Sequence, residues 1–348
     1  MSELQDFKCP NCGGRLEYNG ASRKLKCPYC DGTFDPESFG EEKEFTIENE
    51  TWDENDLSVY TCKSCGGAII TDENTVATAC PYCGNPVVLS GNVKGDYKPS
   101  RIIPFALDKK AAKMEYKRHL KGKFLLPNAF TTEAVIDEIK GVYVPFWLFD
   151  GTAHANIWYD ATKVRHWSDS DYDYTETSHY KLFRSGRVSF ADVPVDASSL
   201  IEDDLSQSVE PFDRREFKDF NVNYLAGYMA DKYDLTASEC KDKADERIVN
   251  STHSLFASTT GGYSSVIPTA SRVSLQEGKQ EYVMMPMWLL NVNYNNRIYK
   301  FAMNGQTGKF VGDLPTDKGK MWGLAAAVFG GVSALLILIQ YLVITFGG

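Results

Sequence analysis

The spacing of eight cysteines constrains this chain more than any other feature. They read Cys9-Pro10-Asn11-Cys12, Cys27-Pro28-Tyr29-Cys30, Cys62-Lys63-Ser64-Cys65 and Cys80-Pro81-Tyr82-Cys83. Within each pair of Cys-x2-Cys units fourteen residues intervene, and the second pair repeats the first 53 residues on. A two-residue gap lets both sulfurs of one knuckle reach the same ion. A hairpin of this length returns the second knuckle to complete a tetrahedron of thiolates, which is the spacing of a structural zinc site. Gly13, Gly14, Gly66, Gly67 and Gly84 follow the knuckles, where the turn calls for positive φ or close approach of backbone to sulfur. A disulfide framework is the poorer reading: Met1 to Lys8 is polar and carries no secretory signal, and thiols in a reducing cytoplasm stay free. Two four-cysteine zinc ribbons are therefore expected. Ribbon one spans 1–34 with ligands Cys9, Cys12, Cys27 and Cys30; ribbon two spans 58–90 with ligands Cys62, Cys65, Cys80 and Cys83. Each holds one structural Zn2+, and each is too small to own a core, so metal binding would supply its folding energy. The ninth cysteine, Cys240, reads as an unreactive thiol in a helix.

Charge divides the rest of the N-terminal half. Residues 35–57 carry Asp35, Glu37, Glu41, Glu42, Glu44, Glu48, Glu50, Asp53, Glu54 and Asp56 against Lys43 alone, the composition of a solvated, self-repelling linker. The sign then reverses. Asp108 is a good N-cap, and Lys109 to Leu120 lacks Pro and Gly, which predicts a helix. Ala112, Tyr116 and Leu120 give it a buried stripe at i, i+4, i+8. Lys109, Lys110, Lys113, Lys117, Arg118 and Lys121 form a basic surface for anionic lipid headgroups or nucleic acid, or an ordinary solvated face. The net charge of −10 argues against a general polyanion binder, and no RNA-binding signature accompanies the lysines.

From Gly141 the pattern turns to strands. Val142 to Phe149 is an apolar run, Ala153 to Tyr159 a second strand, Arg165 to Arg184 a hairpin turning at Ser168-Asp169-Ser170-Asp171, and Arg187 to Val195 one more. A faint duplication runs through this part. Ile103-Pro104-Phe105-Ala106-Leu107-Asp108 opens a helix and Tyr143-Val144-Pro145-Phe146-Trp147-Leu148 a sheet. Later, Val209-Glu210-Pro211-Phe212-Asp213 and Met284-Met285-Pro286-Met287-Trp288-Leu289-Leu290 repeat that order. The expected fold is α+β: two N-terminal ribbons, a duplicated antiparallel-sheet-plus-helix domain (repeats at 100–200 and 201–316), and a C-terminal transmembrane helix at 321–346. Asn304-Gly305-Gln306-Thr307-Gly308-Lys309 lacks the spacing of a phosphate loop; its Asn-Gly reads as a hairpin turn.

Leu324 to Phe346 is 23 residues without a charge, long enough at about 1.5 Å per residue to cross a hydrocarbon core of about 30 Å. Trp322 and Tyr341 suit the two interfaces. Lys309, Lys318 and Lys320 precede the helix, which places the soluble part on the cytoplasmic side of the cell membrane and the C-terminus outside. Ala326, Gly330 and Ala334 make a small-xxx-small line for pairing with another helix.

No catalytic set emerges. His119, His154, His166, His179 and His253 show no metal or triad spacing, and there is no nucleophile elbow or nucleotide loop. The paired ribbons, the Val144-Pro145-Phe146-Trp147 and Met285-to-Asn291 segments, the Asn304-to-Pro315 hairpin and the terminal anchor together resemble a bacterial family of TFIIB-type zinc-ribbon-containing membrane proteins. Members are often labelled as relatives of the replication-restart helicase, yet this chain has no helicase core. The resemblance implies a non-enzymatic, membrane-anchored adaptor that docks protein partners, associated with SPFH-domain (flotillin-like) or phage-shock-type proteins at the bilayer. The alternative is a membrane-tethered nucleic-acid-binding regulator that uses the ribbons and the basic helix.

Overall fold

A computed structural model describes residues 9–39, 58–62, 67–71, 81–82, 87–92 and 97–346. In chain order, strands β1 (Glu17–Asn19), β2 (Lys24–Lys26) and β3 (Thr33–Phe34) form a small sheet. They are followed by β4 (Ser58–Cys62), β5 (Ala68–Thr71), β6 (Val87–Asn92) and β7 (Arg101–Ile102). Helices α1 (Lys109–Leu120) and α2 (Glu133–Asp137) lead to β8 (Lys140–Ser168) and β9 (Asp173–Asp196). Then come α3 (Asp203–Ser208), β10 (Lys218–Asp219), β11 (Met229–Asp231) and α4 (Ala237–Ser258), and β12 (Ser265–Tyr294), β13 (Arg297–Asn304), β14 (Phe310–Gly312) and α5 (Lys318–Phe346) close the chain. The fold is α+β, with an apolar C-terminal helix. Residues 40–57 of the acidic linker lie outside the described residues; Pro36–Phe39 forms a short 3-10 turn.

The molecule is built on β8 and β12, 29 and 30 residues long, paired antiparallel from Lys140↔Leu289 to Thr162↔Ser265. Val142 to Phe149 and Tyr282 to Leu290 are buried on both faces, so their alternate side chains feed two separate cores. Such a run has no polar positions, as a strand covered on both sides requires. Past Gly151 the pattern alternates: Ala153, Ala155, Ile157, Tyr159 and Ala161 are buried, while His154 and Trp158 are exposed. There β9, β8 and β12 form a three-stranded blade backed on one face by α4. Ala244, Ile248, Thr252 and Phe256 point inward at helical spacing. Gly151 and Gly186 let the helix approach, since a Cβ on them would sit 3.1 and 3.3 Å from Ile248 and Phe256. The expected separate strands at Val142 and Ala153 are thus one strand. Asp150-Gly151 lies within that strand, at a register shift between Phe149 and Gly151.

At the root of the blade one contact set occurs twice. Ile102 runs parallel to Met284 and Ala230 parallel to Tyr143. Pro145 faces Met284, and Pro286 faces Tyr143. The Ala197 N–H donates to the Pro145 carbonyl at 2.9 Å, and Gly305 to Pro286 at 2.8 Å. Trp147 Nε1 donates to the Leu235 carbonyl at 2.9 Å, and Trp288 Nε1 to the Leu107 carbonyl at 3.2 Å. Each of these carbonyls precedes an N-cap, Thr236 for α4 and Asp108 for α1. The segment that stands before α4 as Ile102–Asp108 stands before α1 is therefore Ala230–Thr236, not Val209–Asp213. The tight two-residue turn falls at Asn295-Asn296, both with positive φ, the geometry of a type I′ hairpin. Asn304-Gly305 opens a longer connection, closed by Gly308 N–H to the Asn304 carbonyl at 2.9 Å.

Candidate metal centre

The knuckles of ribbon one are two copies of one turn. Cys9 N–H donates to the Gly14 carbonyl at 2.6 Å and Cys27 N–H to Gly32 at 2.9 Å; Gly13 and Asp31 both take positive φ. The turn wraps backbone around each pair of sulfurs and aims all four inward. Cys9 Sγ lies 3.4 Å from Cys30 Sγ, Cys12 Sγ lies 3.6 Å from Cys27 Sγ, and all four sulfurs fall within 4.8 Å of one another. Cys9, Cys12, Cys27 and Cys30 could hold a metal ion. Four thiolates at this separation cannot all ionise without a cation between them, and the thiols already divide. Burial acts to raise Cys27, but the backbone N–H groups of Cys30 and Tyr29 outweigh it and bring the thiol down to about 7. Cys30 is pushed up to about 12, held by its contact with Cys9 against the Gly32 N–H.

Cys62 N–H donates to the Gly67 carbonyl at 2.9 Å, the same five-residue reach as the Cys9 and Cys27 hydrogen bonds. It is fully buried at the end of β4. Cys65, Cys80 and Cys83 lie outside the described residues.

The hairpin end of ribbon one is where the structure departs from expectation. Leu16, Tyr18 and Leu25 are buried in the core of the body rather than in a separate module. Tyr18 N–H donates to the Ala226 carbonyl at 3.0 Å, and its ring meets Tyr224 edge-on at 5.4 Å. Gly20 packs so closely that a Cβ would lie 2.7 Å from the Phe105 carbonyl oxygen. Asn223 Nδ2 donates to the Pro36 carbonyl at 2.8 Å. The ribbon thus shares the body's core, and metal is not its only source of folding energy. The knuckle end faces away: Cys12 and Cys30 are exposed, and Tyr29 is 76% exposed. The alternation of Leu16 and Tyr18 was the available signal for docking, since a free ribbon has nothing to bury them against.

The basic helix is less basic than its sequence. Asp108 caps α1, its carboxylate accepting from Ala111 N–H at 2.8 Å, and Ala112, Tyr116 and Leu120 are buried as expected. Lys113 pairs with Asp137 at 2.5 Å and Lys117 with Glu133 at 2.6 Å, both acids from α2, while Arg118 pairs with Glu115 at 2.5 Å. Lys109, Lys110 and Lys121 make no ion pair among the described residues. Of the six basic residues, Lys113, Lys117 and Arg118 at the middle of the surface are thus paired within the protein. His154, His166 and His179 are all exposed on the blade. Twelve residues separate His154 from His166 along β8, roughly 40 Å at strand rise, so the three form no cluster.

α5 is 29 residues long, about 44 Å at helical rise, and is long and apolar enough to cross a membrane, with none of Lys318–Gln340 buried against the body. Ala326, Gly330 and Ala334 are exposed along it.

The chain is 33% identical over 334 residues to the uncharacterized protein YdjG of Bacillus subtilis (strain 168), an overlap covering 96% of this chain and 97% of that one. No family model and no solved structure matches it.

Proposed function

The chain belongs to the family of YdjG, and from that premise we propose that it is a non-enzymatic, membrane-anchored adaptor whose zinc-bound knuckles dock a protein partner on the cytoplasmic face of the cell membrane. The observation that carries this reading is the orientation of ribbon one. Its hairpin end is fastened to the body through Tyr18 and Leu25, and at its other end Cys12, Tyr29 and Cys30 are exposed while Cys9 and Cys27 are buried. The ion is Zn2+: a tetrahedron with Zn–S of about 2.3 Å needs sulfurs about 3.8 Å apart, and the 3.4 and 3.6 Å contacts are close to that. With four protein ligands the site is closed and structural, leaving no position for a substrate. A second Zn2+ belongs to ribbon two, supported by the matching Cys62-to-Gly67 hydrogen bond. Zinc supplies charge neutralisation there; the residues supply rigidity.

The body is the platform. Its repeated contacts support reading it as two copies of a β–α–β–β unit, near 101–197 and 229–305. α5 is the anchor, with the Lys318 and Lys320 side placing the body in the cytoplasm, and its Ala326–Gly330–Ala334 line is available to a neighbouring helix. By resemblance the partner is an SPFH-domain or phage-shock-type protein. The ion pairs that tie α1 to α2 count against the nucleic-acid alternative, because they occupy the cations it would use.

Crosslinking in intact membranes tests the reading with two variants. Tyr29→Ala removes the exposed tip and leaves the ligands, and Cys12→Ser/Cys30→Ser removes the metal. Both are expected to lose the partner captured by the parent chain. Unchanged capture after zinc loss would overturn docking through the ribbon.

A further inference from the structure

We propose that the loop Lys121–Phe124 is a second membrane contact, a basic and aromatic finger that seats on anionic lipid headgroups beside the anchor. The inference rests on the reading that α5 crosses the bilayer, and it is carried by how the loop is fastened to the helix. The Asp317 N–H donates to the Leu125 carbonyl at 2.7 Å, and Lys320 Nζ reaches the Leu126 carbonyl and Asn128 Oδ1, each at 2.6 Å. Asp317 is itself the residue that caps α5, its carboxylate accepting from the Gly319 and Lys320 N–H groups at 2.8 and 3.1 Å. The loop is therefore held at the level of the first helical turn. A helix of about 44 Å exceeds a hydrocarbon core of about 30 Å, so that first turn and the loop beside it belong at headgroup depth.

The loop's chemistry suits that depth. Two successive turns, Lys123 N–H to the Leu120 carbonyl and Leu126 N–H to the Lys123 carbonyl, both at 3.1 Å, push Lys121 to Phe124 outward. Gly122 takes φ +81° at the apex, a conformation other residues resist. Phe124 is 68% exposed, and Trp322 on the helix is 70% exposed. An aromatic ring left in water at that level is costly, whereas at a bilayer interface it is favoured. Lys121 and Lys318 make no ion pair among the described residues, and Lys123 contacts only the neutral-leaning ring of His119 at 3.0 Å, whose proton affinity is lowered by burial and by Lys123 itself. Among the described residues no carboxylate meets these charges, and anionic headgroups would meet them. Each lysine near such a surface favours the seated loop by about fivefold, so Lys121 and Lys123 together contribute on the order of 25-fold.

The test uses the full chain in vesicles of phosphatidylcholine with and without phosphatidylglycerol. Phe124→Trp is the probe, with the parent chain measured alongside to subtract the native tryptophans. The added emission is expected to be blue-shifted and quenched by lipids brominated on the acyl chain, more strongly with phosphatidylglycerol present. Lys121→Gln/Lys123→Gln in the same background should abolish that lipid dependence. Alkaline carbonate extraction of the same vesicles separates the two readings. A chain that stays with the vesicles while the added tryptophan emits as in water and escapes quenching overturns the finger alone. A chain released by carbonate overturns the anchor and the finger together. Should the added ring perturb the turn, slowed amide exchange over Lys121–Phe124 of the parent chain in anionic vesicles is the second readout, and unslowed exchange overturns the proposal.

Discussion

The half of the body built on β8 and the half built on β12 share their inner contacts and differ in everything attached to them. Trp288 holds the carbonyl before α1, a helix of 12 residues that ends at the anchor loop; Trp147 holds the carbonyl before α4, a helix of 22 residues that backs the blade. The edge of β7 is closed by the two-residue β10, whereas the matching edge of β11 recruits β5, and through it β4 and β6 of ribbon two. Ile103 is fully buried beside β7, and at the corresponding place beyond Ala230 stands Asp231, equally buried. The same contact set satisfies the sheet and the two helix starts, while the periphery differs, α1 leading to the loop beside α5 and α4 backing the blade.

The largest test of that comparison is at Asp231. Burial, with Asp234 nearby, pushes its carboxyl up to about 7. The folded state then holds the proton more tightly than the unfolded state, so stability is greatest at low pH and falls as pH rises from about 4 through about 7. Asp231→Asn should raise the stability of the full chain in detergent at pH 8 on the order of 3–4 kcal/mol and change it little at pH 4, flattening the denaturation midpoint against pH. Asp196, raised to about 6 by burial, leaves a smaller slope of the same sign. A variant with no pH-dependent gain would show that the carboxylate is stabilised where Ile103 has only packing.

Next in size are the two tryptophans. Trp147→Phe and Trp288→Phe each remove an indole and leave a buried carbonyl without its donor, which should cost about 3 kcal/mol apiece. Equal losses in urea denaturation support equivalent roles; a loss confined to one would break the equivalence. The smallest effects are at the caps. Asp108→Ala and Thr236→Ala should each cost about 1 kcal/mol. Amide exchange should quicken in the first turn of α1 for the former and of α4 for the latter, where Glu239 also bonds back to Thr236 N–H at 2.7 Å. Exchange that quickens in both helices for either variant would mean that the halves do not separate mechanically.

How much of this was legible depended on how local its cause is. The cap at Asp108, the Ala112–Tyr116–Leu120 stripe, the turn near Asp169, the apolar α5 and the knuckle spacing each follow from neighbouring residues, and each was readable. The docking of ribbon one was not, because Tyr18 finds its partner at Ala226, some two hundred positions away. The segment that stands before α4 was not readable for a related reason. Val209-Glu210-Pro211-Phe212 imitates the segment before α1 in letters, while Ala230–Thr236 matches it in hydrogen bonds and shares few side chains with it. The continuous blade was hidden by Asp150-Gly151, whose composition signals a turn although its neighbours hold it in a strand.

Zinc content bears most directly on the central claim that ribbon one is a closed metal site fixed to the body. Atomic absorption on the purified full chain should give two Zn2+ per chain, one of them lost on Cys12→Ser/Cys30→Ser. A zinc content unchanged by that substitution would contradict it.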